Sequence, residues 1–292
     1  MSLFQGSSVA LVTPFKDNEV DYQKLEELIN WHIEEMTNAI IVCGTTGEAP
    51  TLSFEEKANI IKYAVKVARR RIPIIAGTGS YSTTMTIELS KLAEEAGADG
   101  LLVVTPYYNR PSKNGVLKHY QKLSEGVNIP IILYNVPSRT GLNLTPELVR
   151  ELAKLPNIKG IKEASGNISQ IAKIIALCPK DFTVYSGNDD QVLPILSLGG
   201  KGVISVTANI VPRKVHDIID NYFHGDQIIA LQDFLDLQSL NEVMFIETNP
   251  VPVKTAMKLM GIDVGSCRLP LDNLEPQNYQ TLIKVLKNYQ LV

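Results

Sequence analysis

Eight short apolar runs limit what this chain can become. Each is closed by glycine, proline, threonine or another turn-forming residue, and each is followed by a stretch with helical periodicity. They are Ser8–Val12, Ala39–Cys43, Pro73–Ala76, Gly100–Val104, Pro130–Tyr134, Asn157–Lys162, Phe182–Tyr185 and Gly202–Val206. Strands with continuous apolar runs are buried on both faces, which is the mark of a parallel sheet covered by helices. Strand and helix alternate along the chain, so the repeating unit is βα. Eight such units predict an α/β fold of the closed (β/α)8 TIM-barrel type rather than an open sheet. Helix starts are marked locally as well. Ser53 and Glu56 form a capping box, and Thr145 precedes Pro146 at a first helical position.

Beyond about residue 225 the strand signal stops. Residues 225–245, 251–261 and 275–290 read as three further helices. The expected organisation is a barrel domain over residues 1–224 and a C-terminal helical domain over residues 225–292. A length of 292 residues suits a barrel, whose typical size is about 250.

Charge and composition exclude several functions. The net charge of −3 provides no basic surface for nucleic acid or an acidic membrane. No uninterrupted apolar stretch approaches the length of a membrane span, and the N-terminus lacks the pattern of a signal peptide. Cys43, Cys178 and Cys267 are odd in number and far apart, so no disulfide framework is expected and a reducing cytoplasm is the simplest setting. The four histidines have no metal-ligand spacing. Gly77-Thr78-Gly79 lacks the third glycine of a dinucleotide fingerprint, and Asp189-Asp190 reads as a solvated helix start.

Barrels carry their chemistry at the C-terminal ends of the strands. Here those ends hold Thr45 and Thr46, Tyr107 and Tyr108, Tyr134, Arg139, Lys162, Gly187 and Ser205. The set has one lysine, several hydroxyls and one arginine, with no histidine and no carboxylate pair of the glycosidase kind. It suits carbonyl chemistry through an imine: an amine attacks, a phenol relays protons, and a guanidinium holds a carboxylate. Taken singly, each residue also has an ordinary structural use. The glycines around Thr45 make a tight turn, the tyrosines pack, and a loop arginine is commonly a surface cation.

Three motifs carry a resemblance. Gly44-Thr45-Thr46-Gly47-Glu48, Tyr134-Asn135-Val136-Pro137-Ser138-Arg139-Thr140-Gly141 and Gly160-Ile161-Lys162-Glu163-Ala164-Ser165-Gly166 resemble the dihydrodipicolinate synthase family, over essentially the whole chain. The lysine and tyrosine strands alone also fit the wider group of pyruvate-dependent aldolases, including N-acetylneuraminate lyases. Arg139 argues for a short substrate with its own carboxylate.

The resemblance implies a lyase that joins pyruvate to L-aspartate 4-semialdehyde on the diaminopimelate route to lysine, with no metal or organic cofactor. Lys162 would form the imine. Tyr134 would relay protons, linked through Thr45 to Tyr108, which the family contributes from the neighbouring subunit. Thr46, with backbone groups near Gly187 and Ile204, would hold the pyruvate carboxylate. Arg139 would bind the aldehyde's carboxylate at the entrance. The family usually assembles as a tetramer, a dimer of dimers. Lysine-inhibited members carry polar residues around an interface cleft where this chain has Lys57, Tyr81 and Met85. A cation there would repel lysine's ammonium, so weak or absent inhibition by lysine is expected.

Overall fold

A computed structural model describes residues 3–292. Among the described residues there are ten strands: β1 (Gly6–Ala10), β2 (Phe15–Lys16), β3 (Glu19–Val20), β4 (Ala39–Val42), β5 (Ile74–Gly77), β6 (Gly100–Val104), β7 (Ile131–Asn135), β8 (Ile158–Glu163), β9 (Thr183–Ser186) and β10 (Gly202–Ser205). Eight of them close into a parallel barrel in the order β1-β10-β9-β8-β7-β6-β5-β4, and β2 pairs with β3 outside it. The (β/α)8 barrel expected from the periodicity is the observed architecture.

Alternation along each strand makes two cores. Ile41, Ile75, Leu102, Ile132, Tyr185 and Ile204 fill the barrel interior. Their neighbours, among them Ile40, Ile74, Leu101, Leu133 and Val203, face outward into the layer shared with the helices. Both sets are buried, so the strands read as continuous apolar runs. Phe4 lies across the lower end of the interior, stacked on Tyr185 with ring centroids 4.2 Å apart. The Tyr185 hydroxyl donates to the Phe4 carbonyl at 2.9 Å, so the barrel has a floor.

Helix caps follow the sequence. The Glu56 amide donates to Ser53 Oγ at 3.1 Å, and Glu56 Oε2 accepts from the Ser53 amide at 2.8 Å. Among the described residues no helix is long and apolar enough to cross a membrane.

Three elements of secondary structure differ from the sequence reading. The first strand starts at Gly6, two residues early; Leu11 still donates to the Ile41 carbonyl, but the Val12 amide turns to the Asn209 side chain. The β2–β3 hairpin was not expected. Its turn is Asp17-Asn18, both with positive φ (51° and 65°), a geometry suited to tight hairpins. Strands of two residues leave no periodicity to read. The stretch 225–245 is divided at Leu237 into helices Gln227–Asp236 and Gln238–Val243, and helices Val251–Leu259 and Pro276–Asn288 follow.

Candidate active site

Lys162 is the next-to-last residue of β8, and Tyr134 the next-to-last of β7. The parallel register pairs the two directly, and pairs Asn135 with Glu163 one step further on. Alternation then sends the first pair inward and the second outward. Lys162 is buried, and its Nζ lies 4.5 Å from the centroid of the Tyr134 ring. An amine and a phenol therefore share the mouth of the barrel.

The outward pair forms a polar network. The Asn135 side-chain amide donates to both Glu163 oxygens, at 3.0 and 3.1 Å, and to Asn143 Oδ1 at 2.8 Å. The Ser165 amide donates to Glu163 Oε1 at 2.8 Å. Burial pushes the Glu163 carboxyl above its ordinary value, and these donors hold it back. Because Asn135 and Glu163 are bonded across the strands, they help lock the register that sets Lys162 against Tyr134.

Gly187 follows β9 at a point of close approach. Its amide donates to the Glu163 carbonyl at 2.8 Å. A Cβ added here would lie 2.6 Å from Ala164 Cβ and 3.1 Å from Lys162 Cε, so only glycine fits beside the lysine.

Ile204 is buried on β10 in the barrel interior, in the cluster that also holds Tyr134. Asp189 corrects the sequence reading. Rather than a solvated helix start, it is a buried carboxylate whose Oδ2 accepts from the Val206 and Thr207 amides at 2.9 and 3.2 Å. Burial pushes its carboxyl up, and the charge of Lys162 works against that rise. It ties the turn after β9 to the end of β10, next to Ile204.

A cavity of about 230 Å³ opens beside this cluster. Thr45, Tyr107, Tyr134, Arg139 and Lys57 supply its polar groups. Thr45 and Thr46 sit on the turn after β4. Thr46 is buried, and its hydroxyl accepts from the Asn249 side-chain amide at 3.0 Å. Arg139 sits on a short helix, Pro137–Thr140, and its Nη2 donates to the Asn249 carbonyl at 3.0 Å. Asn249 thus touches both a threonine and the arginine of the site. It comes from the C-terminal segment, and the sequence reading missed it.

Of the residues singled out in the sequence, Lys162, Tyr134, Thr45, Thr46, Arg139, Gly187 and Ile204 converge on one end of the barrel. Tyr108 does not join them within the chain. It has positive φ (71°) and is 92% exposed. Tyr107 turns in instead and meets Tyr81 edge-on with centroids 5.7 Å apart. Burial, followed by the neighbouring Tyr81, pushes the Tyr107 phenol up.

Comparison with known proteins places this geometry. A family model described as the dihydrodipicolinate synthetase family matches residues 3–289. The 4-hydroxy-tetrahydrodipicolinate synthase of Clostridium novyi (strain NT) is 55% identical over 289 residues, covering 99% of this chain and 98% of its own. The crystal structure of dihydrodipicolinate synthase from Aquifex aeolicus superposes with a TM-score of 0.97 at 47% identity, covering 99% of each chain. The chloride-inhibited dihydrodipicolinate synthase from Acinetobacter baumannii, solved in complex with pyruvate, superposes with a TM-score of 0.96 at 45% identity, again covering 99% of each. On a family match spanning almost its whole length and relatives this similar, the chain belongs to the dihydrodipicolinate synthetase family.

Proposed function

We propose that this chain is a lyase that condenses pyruvate with L-aspartate 4-semialdehyde through an imine on Lys162. The observation that carries the reading is the buried Lys162 amine, set by strand register against Tyr134 beside a cavity with Arg139 on its wall. The amine adds to the pyruvate ketone, a C–N bond forms, and the ketone oxygen leaves as water. Loss of a methyl proton gives the enamine, whose carbon attacks the aldehyde. The new C–C bond turns the aldehyde oxygen into a hydroxyl. The second substrate's own amine then attacks the imine carbon, displaces Lys162 and closes the ring.

Each step moves a proton, and the Tyr134 ring centroid 4.5 Å from the amine supports its phenol as the carrier. Thr45 stands in the same cavity as its relay partner. Thr46 and the backbone at Gly187 and Ile204 receive the pyruvate carboxylate. Arg139 receives the aldehyde's carboxylate, as a guanidinium matches a carboxylate in geometry and charge.

Tyr108 supports an oligomeric active site. Tyr108, Tyr81 and Met85 are all exposed, and the Asn109 side-chain amide donates to the Tyr81 carbonyl at 3.0 Å, which supports this region as a surface for a second copy of the chain. In the proposed assembly, a dimer of dimers, Tyr108 enters the partner's cavity and completes the relay from Tyr134 through Thr45. The proposed setting is the cytoplasm.

Borohydride trapping with pyruvate, read by intact mass and peptide mapping, tests the reading. The expected result is a pyruvate-derived adduct on Lys162 that disappears in Lys162→Ala, with turnover on the aldehyde and none on sialic acid. Absence of an adduct on folded protein would overturn it.

A further inference from the structure

Glu48 takes no part in the reaction just described, yet its placement is unusual. It is buried at 1% exposure and has a left-handed backbone, φ 55°, where side chains other than glycine, asparagine and aspartate are uncommon. Both partners of its carboxylate come from the far end of the chain. Lys254 Nζ lies 2.6 Å from Oε1, and the Arg268 amide donates to Oε2 at 2.8 Å.

Lys254 is itself buried on helix Val251–Leu259. Its ammonium also donates to the Ser266 carbonyl at 3.3 Å and lies 4.3 Å from the Phe15 ring centroid. Burial pushes its pKa down, and Glu48 pulls it back. A pair of this kind is a poor source of net stability, because stripping water from two charges offsets most of their attraction. What it provides is a fixed position.

That position is the turn bearing Thr45 and Thr46. The Glu48 amide donates to the Thr45 carbonyl at 3.0 Å, and the Ala49 amide to the Gly44 carbonyl at 3.2 Å, closing the turn onto Glu48. Asn249, which holds the Thr46 hydroxyl, lies just before the helix that carries Lys254. One C-terminal segment therefore grips one active-site turn at two points. We propose that Glu48 and Lys254 are a positioning pair for Thr45 and Thr46, so that helix Val251–Leu259 is part of the pyruvate site. The proposal rests on the roles given above to those threonines.

Glu48→Asp, Lys254→Met and the double variant Glu48→Gln/Lys254→Met test it. Aspartate keeps the charge, accepts the left-handed backbone and shortens the arm by one methylene. Three quantities are read: thermal midpoint, KM for each substrate, and the pyruvate concentration giving half-maximal borohydride trapping. Glu48→Asp is expected to raise the trapping midpoint about tenfold, while the aldehyde KM stays within about twofold, as a small displacement of a positioning group can do. Lys254→Met is expected to do the same with a lower thermal midpoint. The double variant, which leaves no uncompensated charge, is expected to regain thermal stability but not the trapping midpoint.

A trapping midpoint equal to the parent's while the thermal midpoint falls would overturn the proposal and make the pair a strut. Parallel rises in both KM values would overturn it too, as general loosening. If Lys254→Met does not fold, Glu48→Asp decides alone. A parent that traps no pyruvate fails the functional reading itself, which separates that failure from a parent that traps and a Glu48→Asp that is unchanged.

Discussion

Gly187→Ala adds one methyl group at the tightest point beside the reactive lysine. Its Cβ would sit 2.6 Å from Ala164 Cβ, 3.0 Å from the Glu163 carbonyl oxygen and 3.1 Å from Lys162 Cε, where ordinary contact begins near 3.4 Å. The worst contact is short by about 0.8 Å, and neither a backbone carbonyl nor an alanine methyl can swing aside. The ends of β8 and β9 must part, although the Gly187 amide is bonded across them at 2.8 Å. Overpacking of this kind costs ~1–3 kcal/mol of stability. In a chain of this size that is a drop of a few degrees in the thermal midpoint. The kinetic effect is larger, since moving a reacting group by ~1 Å can cost up to about a hundredfold. The expected result is a roughly tenfold to hundredfold slower borohydride trapping of pyruvate, with an intact fold by circular dichroism. Trapping at the parental rate, with an unchanged thermal midpoint, would refute the close-approach argument.

Arg139→Ala is expected to raise the KM for the aldehyde at least about tenfold and leave pyruvate trapping near the parental rate, because a charged hydrogen bond is worth ~1.5–3 kcal/mol. Steady-state kinetics with each substrate varied checks it. Tyr108→Phe removes only a hydroxyl from a ring that is exposed within the chain, so circular dichroism should show an intact fold while kcat falls by about a hundredfold from loss of proton relay. Glu163→Gln tests the buried carboxyl. Its pKa is raised in the fold, so its neutral form stabilises below the ordinary value of 4.5, and that contribution is lost as pH rises through the raised value. The parent's thermal midpoint minus that of Glu163→Gln should therefore shrink as pH climbs from 4.5, and a constant difference would contradict the burial argument. Lysine should inhibit weakly or not at all, because this chain has Lys57 and Met85, a cation and a residue with no counter-charge, at the positions expected for the interface cleft; a sub-millimolar inhibition constant would contradict this.

The barrel was legible because burial on both faces leaves continuous apolar strands, and the end of each strand marks where chemistry is carried. Lys162 and Tyr134 could be paired in advance because both end adjacent strands. Asn249 could not: it meets Thr46 across 203 residues, through a contact with no periodicity or local motif. Asp189 looked solvated because an Asn-Asp-Asp run is polar, and its partners, the amides of Val206 and Thr207, have no sequence signature. Tyr107 and Tyr108 are identical as letters. Only backbone conformation, the positive φ of Tyr108, sends one inward and the other out.

The floor made by Phe4 and Tyr185 turns the barrel into a bottle with a single neck. Lys162 is buried and Arg139 is exposed on the wall of the cavity, so the reaction proposed above puts the aldehyde's carboxylate outside the ketone's site. On that proposal the ketone is expected to arrive first. An aldehyde held on Arg139 before the imine has formed is a cork rather than a reactant. On the proposed roles, the stoppered end of the barrel sets the expected order of the two substrates.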